Sequence, residues 1–237
     1  EGRATHTALF EPKKFADEYA VKPDNMPTRQ SNAGKAAHAA FDAANASKCI
    51  LDADSEKLAH QIADSVRGHR DASILIAEGE PEVTFRIKAA GLPSLPPLQC
   101  RPDWLNVNGC ELTEGRPYMV DLKTCATLDR DAFGNFFRVA RDHAYDMQFG
   151  LYLAILSALG VECRDFFVIA AEKCVPHGVE VFRMTDQAIE AGQRKAERLL
   201  VRLNDCYRDN VWPNTEGGVQ ELTASTFKFG RNSAEGD

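Results

Sequence analysis

Two acids and a lysine occur close together in two apolar stretches near the middle of the sequence. Asp121 and Lys123 lie two residues apart within the run Tyr118–Thr124, whose composition is typical of a short buried strand. Because side chains alternate across a strand, Asp121 and Lys123 point to one face and Leu122 points to the other. Asp103 lies in a second apolar run upstream and brings a carboxylate from another strand. These residues predict a site in which carboxylates and an ammonium group act together.

Carboxylates in this arrangement suit a hard divalent cation. Mg²⁺ prefers oxygen ligands and is commonly held by one or two carboxylates together with waters and the phosphate oxygens of a substrate. Asp103 and Asp121 would supply the carboxylates, and the backbone carbonyl of Leu122 would supply a further oxygen. Lys123 would position an attacking water or stabilise the charge that develops on a phosphate. The chemistry that fits these groups is metal-dependent hydrolysis of a phosphodiester bond.

The simplest alternative is a buried aspartate–lysine ion pair with no chemistry, because the pattern D-x-K is frequent by chance. Three further features of the sequence favour a reactive site. A proline precedes Asp103, and Glu82 stands at the start of an earlier predicted strand. Gln148 and Tyr152 lie four residues apart, so they share one face of a helix that follows the lysine.

Composition excludes several other classes of protein. The 237 residues are 44% hydrophobic and 27% charged, which is typical of a soluble globular protein. No apolar run approaches the roughly 20 residues that a membrane span needs, so no membrane association is expected. Seven cysteines without a C-x-x-C pair argue against a zinc ribbon, a disulfide framework or an iron–sulfur cluster. They fit a reducing cytosol, so a cytoplasmic location is expected. Because the sequence starts with glutamate, it is expected to be a fragment of a longer chain.

The formal net charge of −7 is unusual for a protein that binds DNA. Net charge governs long-range steering, however, and a local basic face still binds phosphates. Five arginines on predicted helices are candidates for such a face, with a solvated helix surface as the alternative. They are Arg138, Arg141, Arg194, Arg198 and Arg202.

The length of 237 residues suits one domain with a sizeable core or two small ones, and the chain is interpreted as a single domain over residues 1–237. It comprises an N-terminal helical part over about 1–70, a sheet core over about 78–184, and a C-terminal helix and tail over about 185–237. The predicted helices are one that ends before Pro12, then 32–47, 54–68, 130–141, 145–159 and 185 to about 207. The predicted strands are 83–87, 98–105, 118–124, 165–171 and 179–184. This order of helices and strands predicts an α/β fold.

The same patterns predict helix caps and buried side chains. Asp54 and Gly68 are expected to cap the two ends of the second helix, and Thr185 the start of the last one. The alanine-rich helix 32–47 is expected to pack through Ala36, Ala40, Phe41 and Ala44. The last helix is expected to bury Ile189, Ala196, Leu199 and Leu203.

Five short motifs occur in an order that resembles a known nuclease superfamily. They are Gly2-Arg3-Ala4-Thr5-His6 with Phe10-Glu11-Pro12, Gly79-Glu80-Pro81-Glu82, Cys100-Arg101-Pro102-Asp103, Val120-Asp121-Leu122-Lys123-Thr124 and Gln148-Phe149-Gly150-Leu151-Tyr152. Together they resemble the PD-(D/E)XK superfamily, and within it the RecE-type exonucleases (exonuclease VIII), which are related to lambda-type exonuclease and the RecB nuclease domain. The resemblance covers most of the chain and implies a restriction-endonuclease-like core with a mixed central sheet flanked by helices. It also implies a protein of a bacterial or phage-infected cell.

The resemblance implies more than the residues do by themselves. It implies a Mg²⁺-dependent exonuclease that degrades linear double-stranded DNA from 5′ ends and leaves 3′ single-strand overhangs for recombination. It also implies a ring-like homo-oligomer, a trimer or a tetramer, and a single-strand annealing protein as a partner. Cleavage polarity and ring assembly rest wholly on the resemblance.

Two metal ions that clamp the attacking and leaving oxygens are expected for such a site, with Mn²⁺ able to replace Mg²⁺. Asp103 and Asp121 would hold the ions, Glu82 would complete the site directly or through water, and Lys123 would position the nucleophile. His6 enters only through the resemblance, as a residue that binds the metal or supports its ligands. The side chains expected to orient the DNA strand or the other site residues are Gln148 and Tyr152.

Two other functions stay open on the same fold. A structure-specific or restriction-like endonuclease would use the same residues, because a fold does not determine its substrate. A non-catalytic module that binds DNA is the second alternative. The intact set of two aspartates and a lysine argues against it. Burying like charges together lowers the stability of the fold, and a site without catalytic activity would have no reason to keep them.

Overall fold

A five-stranded mixed sheet runs through the middle of the computed structural model, which describes residues 2–213. The helices are α1 (Gly2–Phe10), α2 (Pro12–Glu18), α3 (Asn32–Ala44), α4 (Ala53–Gly68), α5 (Arg70–Leu75), α6 (Phe136–Asp142), α7 (Tyr145–Ala158) and α8 (Asp186–Asp209). The strands are β1 (Tyr19–Val21), β2 (Cys49–Leu51), β3 (Glu80–Pro81), β4 (Phe85–Ile87), β5 (Leu98–Cys100), β6 (Trp104–Asn106), β7 (Tyr118–Cys125), β8 (Asp165–Glu172) and β9 (Val179–Arg183). The tail predicted beyond Pro213 lies outside the described residues.

The central sheet has the strand order β3-β6-β7-β8-β9. β7 and β8 are parallel, and the other neighbours in this sheet are antiparallel. Buried side chains of β7 and β8 alternate between two apolar clusters, one beneath α1 and α4 and the other beneath α7. The predicted α/β fold with a mixed sheet flanked by helices is therefore confirmed. No helix in residues 2–213 has both the length and the hydropathy that crossing a membrane requires.

Two predicted strands differ from the observed ones: one divides into two strands and the other is shorter. The stretch 98–105 divides into β5 and β6, because Pro102 between them has no N–H to donate to a sheet. The predicted strand 83–87 keeps only β4, which pairs with β5 in a separate two-stranded sheet. Glu82 therefore lies on the link between β3 and β4 rather than at the start of a central strand.

Several predicted helix features are also wrong in detail. Asp52 caps α4 instead of Asp54, and α4 ends at Gly68 with His69 as its C-terminal cap. The helix predicted from residue 130 starts at Phe136, because the side chain of Asn135 caps it.

In α3 the predicted stripe is exposed or half-buried, and the opposite face is buried through Gly34 and His38. The reason is that the preceding loop packs there, with His38 Nε2 lying 3.1 Å from the carbonyl oxygen of Pro27. The Thr185 cap of α8 is confirmed, but Leu199 and Leu203 are 50% and 37% exposed.

Glycines allow α7 to lie directly against α8. A Cβ atom at Gly150 would lie 2.3 Å from the backbone nitrogen of Gln193, and one at Gly192 would lie 1.8 Å from the carbonyl oxygen of Asp146. These separations leave no room for a side chain, so the two helices are in backbone contact. The contact determines where α7 sits, and with it the Gln148 side chain that points toward β7.

Gly192→Ala is expected to lower the free energy of unfolding by about 1–3 kcal/mol, because one of the two backbones must move to relieve the clash. Gly68→Ala is the matched control, since a Cβ there meets nothing within 4 Å. That change is expected to raise the free energy of unfolding by about 0.5 kcal/mol through the lower entropy of the unfolded chain. Denaturant unfolding of both variants checks the pair. Equal effects of the two changes would contradict the close contact between α7 and α8.

Candidate active site

Asp121 and Lys123 form an ion pair on the face of β7 that looks toward α7. The Asp121 side chain is 3% exposed, whereas that of Lys123 is 20% exposed, so the lysine reaches the rim of the site. Lys123 Nζ also lies 4.9 Å from the centre of the Tyr145 ring, a cation–π distance. Burial and the neighbouring charge of Asp103 raise the pKa of Asp121 to about 7, against the opposing effect of Lys123. Burial lowers the pKa of Lys123, but Asp121 outweighs it and the net shift is upward.

Asp103 and His6 meet at the backbone of Leu122. Asp103 Oδ2 accepts a hydrogen bond of 2.7 Å from the Leu122 N–H, and its Oδ1 lies 3.3 Å from His6 Nδ1. The other ring nitrogen, His6 Nε2, lies 3.0 Å from the Leu122 carbonyl oxygen. Burial lowers the pKa of His6, but the contact with Asp103 outweighs it and raises the pKa above the usual value. With an acceptor at each nitrogen, the metal-free ring is well placed to be protonated, and binding of a cation would displace a proton from it.

The packing of α1 brings His6 to this position. Its small buried residues Ala4 and Ala8 let the helix lie close to α4. The Arg67 side chain of α4 then donates to the carbonyl oxygens of Ala8 and Leu9 at the end of α1, over 2.5 and 3.2 Å. These groups would otherwise be unsatisfied at a helix terminus.

Glu82 reaches the same region from the link between β3 and β4. Its backbone has a φ of 55°, a left-handed conformation that is uncommon for a residue other than glycine. Its N–H donates to the carbonyl oxygen of Asp103 over 3.1 Å, which joins the link to the start of β6. Its carboxylate pairs with Arg101 Nε at 2.8 Å. Burial, followed by the charge of Asp103, raises the pKa of Glu82 despite the opposing charge of Arg101.

The donor set around Asp103 fits a hard divalent cation. His6, Glu82 and Asp103 each offer one ligand atom, and these atoms lie within 4.8 Å of one another. Within residues 2–213, no other group of three or more histidine, cysteine or acidic side chains is as close. Two carboxylates with an imidazole are a donor set that divalent metal ions take in proteins. Asp121 is not part of this group, yet it lies near enough for the charge of Asp103 to shift its pKa.

Gln148 and Tyr152 approach the site from α7. Gln148 Nε2 donates to Asp121 Oδ1 over 3.2 Å, which fixes one oxygen of that carboxylate while Lys123 contacts the other. Tyr152 lies beside Gln148, and burial raises the pKa of its hydroxyl. The spacing of four residues thus brings both side chains to the site, and their role there stays a prediction.

All these side chains open into one cleft of about 940 Å³. The predicted site residues that line it are His6, Glu82, Asp103, Asp121, Leu122, Lys123, Gln148 and Tyr152. Sequence reasoning overlooked three cations that also line the cleft, which are Arg3, Lys14 and Arg101. Arg3 belongs to the motif at the N-terminus and Arg101 to the motif that ends at Asp103. Their position within these motifs could have identified both as site residues.

The five arginines predicted to contact DNA lie elsewhere. Arg138 and Arg141 are exposed on α6, and the three others are exposed on α8. None of the five lines the cleft. Arg141 pairs with Asp142, and Arg194 pairs with Glu190 at 3.6 Å. Their contact with phosphates stays a prediction.

His6→Ala is expected to lower turnover about 10- to 100-fold, because removing a residue that holds a metal ligand in place has effects of this size. Thermal stability is expected to change little, since the ring is at the edge of the cleft. His38→Ala is the matched control, as His38 is buried against a loop outside the cleft. That variant is expected to melt at a lower temperature with unchanged turnover per folded molecule. If His6→Ala instead lowered the melting temperature and kept wild-type turnover, while His38→Ala lost turnover, a role for His6 in the site would be contradicted.

Comparison with known proteins agrees with this architecture. A family model described as PDDEXK-like domain of unknown function (DUF3799) matches residues 1–224. One similar solved structure is that of a protein from Eubacterium rectale described as a "putative exonuclease", with a TM-score of 0.54 and 15% identity over 83% of this chain and 75% of that chain. Another, SSO0001, has a TM-score of 0.34 and 14% identity over 66% of this chain and 67% of that chain. No curated protein matches this chain. At its level of identity, the similarity to the first structure shows the fold alone.

Proposed function

This chain belongs to the PDDEXK-like family, and on that premise we propose that it is a metal-dependent exonuclease acting on linear double-stranded DNA. The observation that carries the proposal is the meeting of two aspartates, a glutamate, a histidine and a lysine in one open cleft. A purely structural ion pair would not need the additional acids and histidine beside it. The description of the Eubacterium rectale protein as a "putative exonuclease" supports the choice of an exonuclease over other nucleases.

Divalent cations bound here would activate a water and stabilise the leaving oxygen of the scissile phosphate, with Mg²⁺ or Mn²⁺ suited to the donors. His6, Glu82 and Asp103 would hold one ion. Asp103, Asp121 and the Leu122 carbonyl would hold a second, once His6 Nε2 no longer contacts that oxygen.

The chain's own groups have distinct tasks in this proposal. Lys123, held by Asp121, would orient the attacking water and offset charge on the phosphate. Gln148 would keep the Asp121 carboxylate in its orientation through the 3.2 Å hydrogen bond. Arg3 and Lys14, which line the cleft on the α1–α2 side, would contact phosphates of the DNA strand and position it.

Degradation from 5′ ends, leaving 3′ overhangs for recombination, is proposed on the resemblance to RecE-type exonucleases. The same resemblance carries the proposals of a ring-like trimer or tetramer, a single-strand annealing protein as partner, and a cytoplasmic location. These proposals concern how the protein is used, and they leave the chemistry of the cleft unchanged.

The test of an exonuclease uses Mg²⁺ with linear duplex DNA and with covalently closed circular duplex. An enzyme that must grip a terminus is expected to degrade the linear DNA and to leave the closed circle intact. Linear duplex labelled at the 5′ or the 3′ ends then reports polarity, and the 5′ label is expected to be released first. Linearisation of the closed circle would replace the exonuclease by the endonuclease alternative. Duplex binding without any cleavage in Mg²⁺ or Mn²⁺ would leave a DNA-binding module.

A further inference from the structure

The Lys123 ammonium group lies between a carboxylate and an aromatic ring. Its nitrogen contacts Asp121 Oδ2 and lies over the ring of Tyr145, 4.9 Å from the ring centre. Tyr145 itself does not line the cleft. It lines a separate apolar pocket of about 350 Å³ between α6, α7 and the sheet. The ring is therefore in contact with the site through Lys123, and a DNA strand bound in the cleft is not expected to touch it.

One turn of α7 holds both members of the Asp121–Lys123 pair. Tyr145 and Gln148 are three residues apart, so their side chains project from one face of the helix. Gln148 Nε2 donates to Asp121 Oδ1, while the Tyr145 ring lies against the lysine. The rise is about 4.5 Å over three residues of helix and about 6.6 Å over two residues of strand, so the two pairs of side chains can meet. The same helix thus fixes the carboxylate and limits where the ammonium group can move.

The backbone before Tyr145 is turned sharply. Ala144 has a φ of 50° and a ψ of 52°, a left-handed conformation that is unfavourable for a residue with a Cβ atom. Its N–H donates to the carbonyl oxygen of Arg141 over 3.0 Å, and its own carbonyl oxygen accepts from the N–H groups of Met147 and Gln148. Because of this turn α7 begins at Tyr145, directly beside β7. Unfavourable backbone of this kind is retained where the surroundings require one particular geometry.

Three rings surround Tyr145 and fix its plane. The ring of His143 is stacked on it with centroids 6.2 Å apart, and those of Phe136 and Phe149 lie at 6.3 and 6.2 Å. Within residues 2–213 the Tyr145 hydroxyl has no hydrogen-bond partner. Burial also raises the pKa of this hydroxyl despite the opposing charge of Lys123, so the group stays neutral. The face of the ring, rather than the hydroxyl, is the part of Tyr145 that acts on the lysine.

We propose that Tyr145 is a positioning residue, whose ring holds the Lys123 ammonium group in the orientation that the reaction needs. The inference rests on the nuclease activity proposed above. An ammonium group has three N–H donors on a flexible stem. With one donor on Asp121 and another facing the ring, the third is left for the attacking water or a phosphate oxygen. Without the ring the ion pair would persist, but the group would rotate about it and present the third donor less often.

Two substitutions of Tyr145 distinguish the ring from the hydroxyl. Tyr145→Leu is expected to lower turnover about 5- to 30-fold, the effect of losing a cation–π contact. KM for duplex DNA and the affinity for Mn²⁺ should stay at the wild-type values, because the ring contacts neither. Tyr145→Phe keeps the ring face and should restore turnover to within about twofold of wild type. A loss in Tyr145→Phe as large as that in Tyr145→Leu would overturn the proposal.

Phe137→Leu is the matched control. The Arg130 guanidinium lies over the Phe137 ring, 3.9 Å from its centre, and neither residue lines the cleft. Both leucine variants are expected to melt at a lower temperature, but Phe137→Leu should keep wild-type turnover per folded molecule. Equal losses of turnover in the two variants would reduce Tyr145 to a packing residue and overturn its positioning role.

A double variant tests whether Tyr145 acts through the lysine. In the Lys123→Ala background, Tyr145→Leu should change turnover by less than about twofold, because the group that it positions is already absent. A further loss as large as in the wild-type background would overturn the proposal.

A spectroscopic measurement separates this inference from the nuclease proposal. In full-length protein with isotope-labelled lysine, the ε-methylene signal of Lys123 is identified by its absence from Lys123→Ala. Because an aromatic ring shifts the resonances of nearby protons, this signal should move in Tyr145→Leu and move far less in Tyr145→Phe. A signal that Tyr145→Leu leaves in place would overturn the inference whether or not the protein cleaves DNA. A wild type that cleaves no DNA, but whose Lys123 signal depends on the ring, would overturn the nuclease proposal and still support the hold of Tyr145 on the lysine.

Discussion

Asp121→Asn is expected to reduce DNA cleavage by a factor of about 10³ or more, because it removes a metal-binding charge from the reaction centre. The fold should survive the change, since asparagine still accepts the hydrogen bond from Gln148. Removing a buried carboxylate whose pKa is raised to about 7 also removes a cost to the folded state. In metal-free protein, the variant should therefore unfold at the same or a higher denaturant concentration above pH 7. That gain should disappear as the pH falls below the ordinary pKa of an aspartate.

Asp165→Asn is the matched control for this change. Asp165 is as buried as Asp121, but it pairs with Arg116 at 3.0 Å and with Arg183, outside the cleft. Its loss is expected to lower the free energy of unfolding by about 1–3 kcal/mol while turnover per folded molecule stays unchanged. Cleavage rates and denaturant unfolding of both variants distinguish a site residue from a structural acid. Wild-type cleavage by Asp121→Asn would remove that residue from the reaction.

Lys123→Ala is expected to lose a factor of about 10² to 10³ in turnover, the effect of losing one group that stabilises charge in the transition state. Binding of Mn²⁺ and of duplex DNA should persist, because the acids that hold the metal are unchanged. Calorimetric titration with Mn²⁺, alongside the cleavage rate, separates the two effects.

Lys195→Ala provides the comparison for this second variant. Lys195 pairs with Asp146 at 2.5 Å and so repeats the aspartate–lysine contact outside the cleft. Its loss should leave turnover unchanged, since an exposed ion pair contributes at most about 1 kcal/mol. Equal turnover of the Lys123 and Lys195 variants would mean that Lys123 is only an ion-pair partner of Asp121 and takes no part in the reaction.

The central strand was predictable because several local signals agree there. β7 is apolar throughout apart from the site residues, and alternation alone places Asp121 and Lys123 on one face. The approach of Gln148 was also predictable from helical spacing, although the hydrogen bond to Asp121 depends on the backbone contact between α7 and α8. Periodicity gives no information about such a contact between distant elements.

Other parts of the site depend on interactions that a local pattern does not contain. The left-handed backbone of Glu82 and the break at Pro102 interrupt what reads as continuous strand in the sequence. His6 reaches the Leu122 carbonyl only because α1 packs on β7 across 116 positions of sequence. The resemblance to a nuclease family, rather than any local signal, identified this residue.

The prediction for α8 was wrong at two of its four buried positions, for an informative reason. Its apolar periodicity correctly indicated a helix with one apolar face, and on that basis Leu199 and Leu203 were expected to be buried. Periodicity shows that one face of the helix is apolar and is expected to be covered. It does not show whether the residues that cover it belong to the same chain. Here α7 has only 14 residues against the 24 of α8, and Leu199 and Leu203 stay 50% and 37% exposed.

The most direct measurement is the release of nucleotides from linear duplex DNA by metal-stripped protein, before and after Mg²⁺ is added back. The cleft is proposed to act through divalent cations bound by Asp103, Asp121, Glu82 and His6. No release is expected in the presence of a chelator, and Mg²⁺ or Mn²⁺ should restore it in wild type but not in Asp121→Asn. Release that continues in excess chelator, or equal release by the variant, would contradict a metal-dependent nuclease at this cleft.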